Sequence, residues 1–398
     1  MNTVQELDFS RKALPERWSR VTQDFWGDIQ THTVRAVKRL LETSMMIEQQ
    51  DLLGATHWNH QRRFAGHRNG FYRRTLLTSN GFIPDLQVPR LRQGRLSFKC
   101  LAAYARRSPD VDQVVLDMFL AGVSTRRVHE VLAPLLGPQS LSSSTVSVIA
   151  KVLDQQVRHF HHRTLSDRYH YILLDAVYLK AKAPLSVRKR CVLVAYGITP
   201  QGQRELIDFQ LTSSESQVAW ECFLAHLVRR GLMGAQLRLA IIDGNKGLAN
   251  ALDFAWPGLP RQRCWAHKLR NVANRLPRRL QKLCTAQAYD IYAADSYTKA
   301  LKAFKLWKKT WQPLAPAAVR CLEDDLDHLL VFYRCPKPLW KKLRTTNAIE
   351  RVFREVRRRT RPMSCFQNND SVERIIYAIF YRQNNLWKDK PLKITQNS

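Results

Sequence analysis

From Tyr169 to Leu276, strand-like and helix-like stretches follow one another in an order that restricts the fold more than any other feature of the chain. "YHYILLDAVYLKAKA" reads as a buried strand, "RCVLVAYGITPQGQRELIDFQLTSS" as a hairpin turning at Pro200-Gln201-Gly202, and "ESQVAWECFLAHLVRRGL" as a helix. "LRLAIIDGN" then gives a short buried strand, "KGLANALDFAW" a helix, and "RQRCWAHKLRNVANRL" a short strand running into another helix. Such an order predicts an α/β domain, a mixed sheet covered by helices. From about Pro277 to Leu343 the sequence is helical and rich in Trp, Leu and Lys, with no strand signal, before "TTNAIERVFREVRRRT" resumes as a helix. That block reads as an all-helical insertion.

The acids in this region carry the chemistry. Asp175 stands inside the first strand, between Leu174 and Ala176, and Asp243 closes the fourth in "AIIDGN". A carboxylate within an apolar strand is costly unless it is paired or ligated. If the first and fourth strands are neighbours, the two acids come close together, and a divalent cation resolves their repulsion. Glu350, set among seven arginines in "RTTNAIERVFREVRRRTRP", supplies a third hard-oxygen group. Three such ligands in a basic surround suit two-metal phosphoryl transfer. Two of the acids have ordinary alternatives. Asp243 can open a turn with Gly244 and Asn245, and Glu350 can be the acid that a helix dipole favours after a Thr346 cap.

The charge balance names the partner class. Among 398 residues, 64 Lys and Arg face 33 Asp and Glu, a formal +31 spread along the whole length, which points to nucleic acid rather than to a membrane surface. No apolar run reaches the roughly 18 residues of a membrane span, and "MNTVQELDFSRKALPERW" lacks the apolar core of a secretory signal. Eight cysteines are scattered without a Cys-x-x-Cys pair, as reduced thiols would be. A cytoplasmic location is expected. Upstream, residues 34 to 53 read as an amphipathic helix. Residues 62 to 98 read as a small β element with turn signals at Asn69-Gly70 and Asn80-Gly81. There Arg68, Arg73, Arg74, Arg90 and Arg92 alternate with Phe71 and Tyr72, which favours a nucleic-acid surface over an edge merely protected by charge. Residues 111 to 153 suggest three short helices, with Ser124 or Thr125 and Ser142 to Ser144 as caps, in the manner of a helix-turn-helix. "HFHHR", 159 to 163, reads as a solvated or phosphate-contacting stretch between domains. Neither a Ser-His-Asp constellation nor a phosphate-cradling glycine loop is evident, so covalent catalysis and a nucleotide cofactor are not expected.

The phrases "RNGFYRRTL", "LSSSTVSVI", "DAVYLK", "IIDGNKGL", "QRCWAHKLRNV" and "TTNAIERVFREVRRRTRP" together resemble, in order, the DDE transposases of the IS256 family, relatives of the eukaryotic Mutator-like transposases. The resemblance covers about residues 60 to 385. It implies an RNase H-like catalytic fold in which Asp175, Asp243 and Glu350 are catalytic and bind two Mg²⁺ ions, with Mn²⁺ able to replace them. It also matches the family's Cys-x-x-His signature to Cys264 and His267, and a basic residue beyond the Glu to Arg357, which with Arg354 and Arg358 would grip phosphate. Zinc is not expected at Cys264 and His267, because Cys321, His328 and Cys335 make no regular second pair. The domains implied are a helical and β DNA-binding region at 1–105 and a helix-turn-helix-like region at 106–165. The RNase H-like domain takes 166–276 with 344–398, and the insertion 277–343. Expected partners are the terminal inverted repeats of an insertion sequence and target DNA, handled by a homodimer or larger assembly beside a bacterial nucleoid. Two competing readings are a non-catalytic DNA-binding descendant and an RNase H-like nuclease that cuts without strand transfer.

Overall fold

A computed structural model of the chain describes residues 25–53, 67–92, 96–136, 141–183, 186–360, 366 and 368–394. It falls into two compact units, Met1–Phe119 with Val123–Ala150, and Leu120–Gly122 with Lys151–Ser398. Among the described residues, no helix is long and apolar enough to cross a membrane.

In the first unit, helix α1 (Phe25–Leu53) lies on a hairpin of β1 (Arg68–Thr78) and β2 (Gly81–Leu91). Met45, with Val34, Val37 and Leu41 beside it, packs on Leu76, Ile83, Leu86 and Val88, so the helical spacing read in the sequence is a core face. Only one of the two expected turns is a turn. Asn80-Gly81 closes the hairpin, whereas Asn69-Gly70 lies inside β1. Gly70 has φ +63°, and the register slips by one residue between Arg68 and Phe71, so this glycine makes a β-bulge. Helices α2 (Pro109–Ala121), α3 (Thr125–Leu136) and α4 (Ser143–Ala150) follow. Ser124 Oγ accepts from Arg127 N–H at 3.4 Å and Ser142 Oγ from Thr145 N–H at 3.1 Å, capping α3 and α4. Val115, Val128, Leu132, Val146 and Ile149 bury their common face.

The second unit opens with α5 (Leu153–His162) and a mixed sheet of β3 (Tyr171–Ala183), β4 (Ser186–Ile198), β5 (Arg204–Thr212), β6 (Leu239–Ile242) and β7 (Arg261–Arg263). The strand order is β5-β4-β3-β6-β7, antiparallel among β5, β4 and β3 and parallel from β3 through β6 to β7. The first and fourth strands of the sequence reading are therefore neighbours. Helices α6 (Gln217–Arg229) and α7 (Lys246–Ala255) cover one face, where Trp220, Phe223, Leu224, Leu248 and Leu252 pack on Ile172, Leu174, Leu193 and Ile242. Alternation along β3 sends Asp175 to the opposite face. From α8 (Trp265–Ala273) the chain is helical: α9 (Arg278–Gln287), α10 (Tyr289–Ala293), α11 (Tyr297–Trp311), α12 (Pro316–Glu323), α13 (Leu326–Leu329), two 3₁₀ turns and α14 (Trp340–Leu343). These are moored to β7, because Gln262 donates to Leu329 O at 2.9 Å and accepts from Phe332 N–H at 2.8 Å. Helices α15 (Asn347–Thr360) and α16 (Asn369–Lys388) complete the unit.

The "HFHHR" expectation holds only in part: His159 and His162 are exposed, but the residues between and beside them are built into the fold. Phe160 packs edge-on to Tyr377 and Phe380, and His161 Nδ1 lies 2.7 Å from the buried Asp208 on β5. Arg163 donates to Glu205 and to Ile207 O. His161 and Arg163 there satisfy acceptors on β5, and sequence alone could not distinguish that from a fully solvated stretch.

Candidate active site

The strand register brings the first two acids together. β3 and β6 pair from Tyr171 with Leu239 to Leu173 with Ile241, and two further residues along both chains set Asp175 beside Asp243. Ile242 pairs with Arg263 on β7, so one further residue sets Asp243 beside Cys264. The acids thus lie where β6 and β7 end, at the carboxyl edge where open α/β sheets place their ligands. Asp243 does begin a turn: Asn245 N–H donates to its Oδ1 at 2.9 Å, and Gly244 has φ +99°. That left-handed backbone favours glycine, and a Cβ there would also displace the Arg263 guanidinium, which lies 1.9 Å from where it would stand. The turn reading and the site reading hold at once.

Asp175 is 6% exposed, with Ala176 N–H donating to its Oδ1 at 2.8 Å. Burial pushes its pKa up to about 6 and Asp243 adds to the rise, against the opposing pull of His267, Ala176 N–H and Thr346. Glu350 reaches the same place because α8 and the lead-in to α15 are stitched together. Trp265 N–H donates to Arg344 O at 3.0 Å, and Cys264 Sγ accepts from Thr346 N–H at 3.3 Å and from Thr346 Oγ1 at 3.4 Å. The Thr346 hydroxyl is thus directed to Cys264. Across this seam, Glu350 Oε1 stands 3.8 Å from His267 Nε2. The Cys264 sulfur pushes the His267 pKa up to about 9, burial opposes it, and Asp175 and Asp243 push in the same direction as the sulfur. Although burial acts to raise it, His267 and Thr346 hold the Cys264 thiol below its ordinary value. His267 therefore faces Asp175, Asp243 and Glu350 alike.

Among the described residues, no three His, Cys, Asp or Glu are gathered closely enough to hold a metal ion as they stand, and none joins Cys264 and His267 in a zinc set. The donor chemistry nevertheless fits a hard divalent cation. A carboxylate this buried with a second one beside it is a cation-shaped demand, which the imidazolium meets in part.

Residues 19–390 match the family model described as Transposase, Mutator family. The chain is 31% identical over 353 residues to the transposase for insertion sequence element ISRM5 of Rhizobium meliloti, covering 89% of this chain and 88% of that one. It is 34% identical over 354 residues to the transposase for IS406 of Burkholderia multivorans, covering 88% and 90%. To the transposase for IS256 in transposon Tn4001 of Staphylococcus aureus it is 32% identical over 323 residues, covering 80% and 82%. The chain belongs to the Mutator family of transposases.

The arginines selected from the sequence take different positions in this Mutator-family chain. Arg73 and Arg90 are exposed on β1 and β2, with the Arg90 guanidinium 5.4 Å from the Tyr72 ring centre, and Arg68 and Arg74 are half-buried. On α15, Arg354 and Arg357 are exposed, while Arg358 is held by Glu355 at 2.7 and 2.9 Å. Of the acids' neighbours, Thr346 and Asn245 read in the sequence only as a cap and a turn residue, and Glu215 did not stand out at all. Asn245 Nδ2 donates to Glu215 Oε1 at 2.9 Å, a contact between residues 30 positions apart that no local pattern announces.

Proposed function

We propose that this chain is a metal-dependent DNA transposase that binds the terminal inverted repeats of its element, cuts the strands and joins a 3′-hydroxyl to target DNA. The observation that supports it best is the approach of Asp175, Asp243 and Glu350 to one imidazolium, His267. In this reading the mixed sheet is an RNase H-like scaffold, α9 to α14 are its insertion, and α2 to α4 form a helix-turn-helix-like reader. Asp175, Asp243 and Glu350 would hold two Mg²⁺ ions, or Mn²⁺ in their place; such ions activate an attacking oxygen and stabilise the leaving one. Ala176 N–H orients Asp175, and Asn245 N–H orients Asp243. Thr346, by anchoring on Cys264, sets the start of the helix that carries Glu350. Arg354 and Arg357 lie beyond Glu350 on that helix and would hold the phosphate backbone. Two DNA ends must be handled together, which calls for a homodimer or larger assembly.

The test is a strand-joining assay with element ends, target DNA and Mg²⁺. Asp175→Asn, Asp243→Asn and Glu350→Gln are each expected to abolish cleaved and joined products while gel-shift affinity for the ends is retained. Full activity in any one of them overturns the assignment. Cleavage without joining by the unaltered chain would instead make it a nuclease.

A further inference from the structure

Asp243 is braced by residues that the proposed triad does not include. Glu215 lies between β5 and α6, and its backbone N–H donates to Tyr178 Oη at 3.3 Å, on β3 three residues beyond Asp175. Its side chain accepts from Asn245 Nδ2 at 2.9 Å. Asn245 uses every polar group it has. Its Oδ1 caps α7 by accepting from Leu248 N–H at 3.3 Å, its backbone N–H donates to Asp243 Oδ1 at 2.9 Å, and its amide nitrogen goes to Glu215. Capping alone needs only the oxygen, which Ser, Thr or Asp would supply equally well. The amide nitrogen is the extra, and Glu215 is its acceptor. The junction is tight around this contact: Asn250 Nδ2 donates to Gln217 Oε1 at 2.9 Å, and a Cβ at Gly247 would come within 2.9 Å of the Gln217 nitrogen. Burial and then Asp243 push the Glu215 pKa up, while the Asn245 hydrogen bond and His267 pull it down, so the clamp favours the carboxylate that burial disfavours.

We propose that Glu215 and Asn245 are positioning residues: Glu215 clamps the Asn245 amide, and the clamped residue aims the Asp243 carboxylate through its backbone N–H. This rests on the reading of Asp243 as a metal-binding acid. Groups that orient metal-binding side chains typically change metal affinity or activity by about 10- to 100-fold when removed.

The test uses the full chain and two readouts, calorimetric titration with Mn²⁺ and cleavage of element ends. Glu215→Ala removes the acceptor, and Asn245→Ser keeps a capping oxygen but loses the amide donor. Each is expected to weaken Mn²⁺ binding and cleavage by about 10- to 100-fold with DNA affinity unchanged, and the double variant to lose no more than one of them alone. Glu215→Gln keeps the accepting oxygen and is expected to recover most of both. Wild-type Mn²⁺ binding in Asn245→Ser overturns the proposal, whether or not Glu215→Ala folds. A loss in Glu215→Gln as deep as in Glu215→Ala also overturns it, since charge rather than positioning would then be at work. Asp243→Asn separates the two levels. If it binds Mn²⁺ and cleaves normally, the reading of Asp243 itself fails; if it is inactive while Glu215→Ala and Asn245→Ser are not, only the present proposal fails.

Discussion

At the scale of single residues, Asp175 is folded into the sheet at an electrostatic cost that depends on pH. Its pKa lies near 6 in the folded chain against an ordinary 3.8, so between those values the folded state binds more protons than the unfolded one. Its contribution therefore falls as pH rises through this window. The cost is absent below about 3.8 and fully present above about 6. Without metal, Asp175→Asn is expected to be more stable than the unaltered chain at pH 7 by roughly 1–3 kcal/mol, with the difference shrinking towards zero near pH 4. Urea midpoints in the presence of a chelator check this, and adding Mg²⁺ is expected to favour the unaltered chain. A gap that does not change with pH would contradict it. Asp175 was legible in the sequence because an acid between Leu174 and Ala176 breaks an apolar strand. Glu215 and Asn245 were not, because a polar residue at a helix start has an ordinary local explanation and its distant partner leaves no mark on the local pattern.

Among elements, the join of α5, β5 and α6 shows what stabilises the sheet on the side away from the acids. Asp208 is fully buried on β5 and paired with Arg230, with His161 Nδ1 at 2.7 Å, while Arg230 also donates to Phe160 O at 2.9 Å. Removing one partner of such a buried pair strands the other, so Asp208→Ala or Arg230→Ala is expected to cost about 3–5 kcal/mol by chemical denaturation. Replacing both by apolar residues, Asp208→Leu with Arg230→Met, is expected to cost less than either single change; an additive loss would contradict this. Element order was readable from hydrophobic period, including the strands that bracket Pro200-Gln201-Gly202, whereas the adjacency of β3 and β6 was only a condition that the strand order then met. The bulge at Gly70 was not, since Asn-Gly signals a left-handed backbone without saying whether the chain reverses or bulges there. The role of His161 likewise depends on Asp208, 47 residues away.

Across the whole molecule, the formal +31 makes DNA binding an ion-release process. Affinity for element ends is expected to fall steeply with salt, by about 0.9 log units per log unit of salt for each phosphate neutralised. Arg354→Ala and Arg357→Ala are each expected to lower that slope by about one. Arg358→Ala should lower it less, because Glu355 already holds the Arg358 guanidinium. Fluorescence anisotropy across a salt series measures all three, and equal changes would remove the distinction. The central claim, that residues widely separated along the chain share one divalent ion site, is open to a direct measurement. Fe²⁺ placed in the site and treated with ascorbate and peroxide releases hydroxyl radicals that cut the nearby backbone. Cuts are expected around Asp175, Asp243 and Glu350 together, all suppressed by excess Mg²⁺; cutting at only one of the three, or cuts that Mg²⁺ does not suppress, would contradict it.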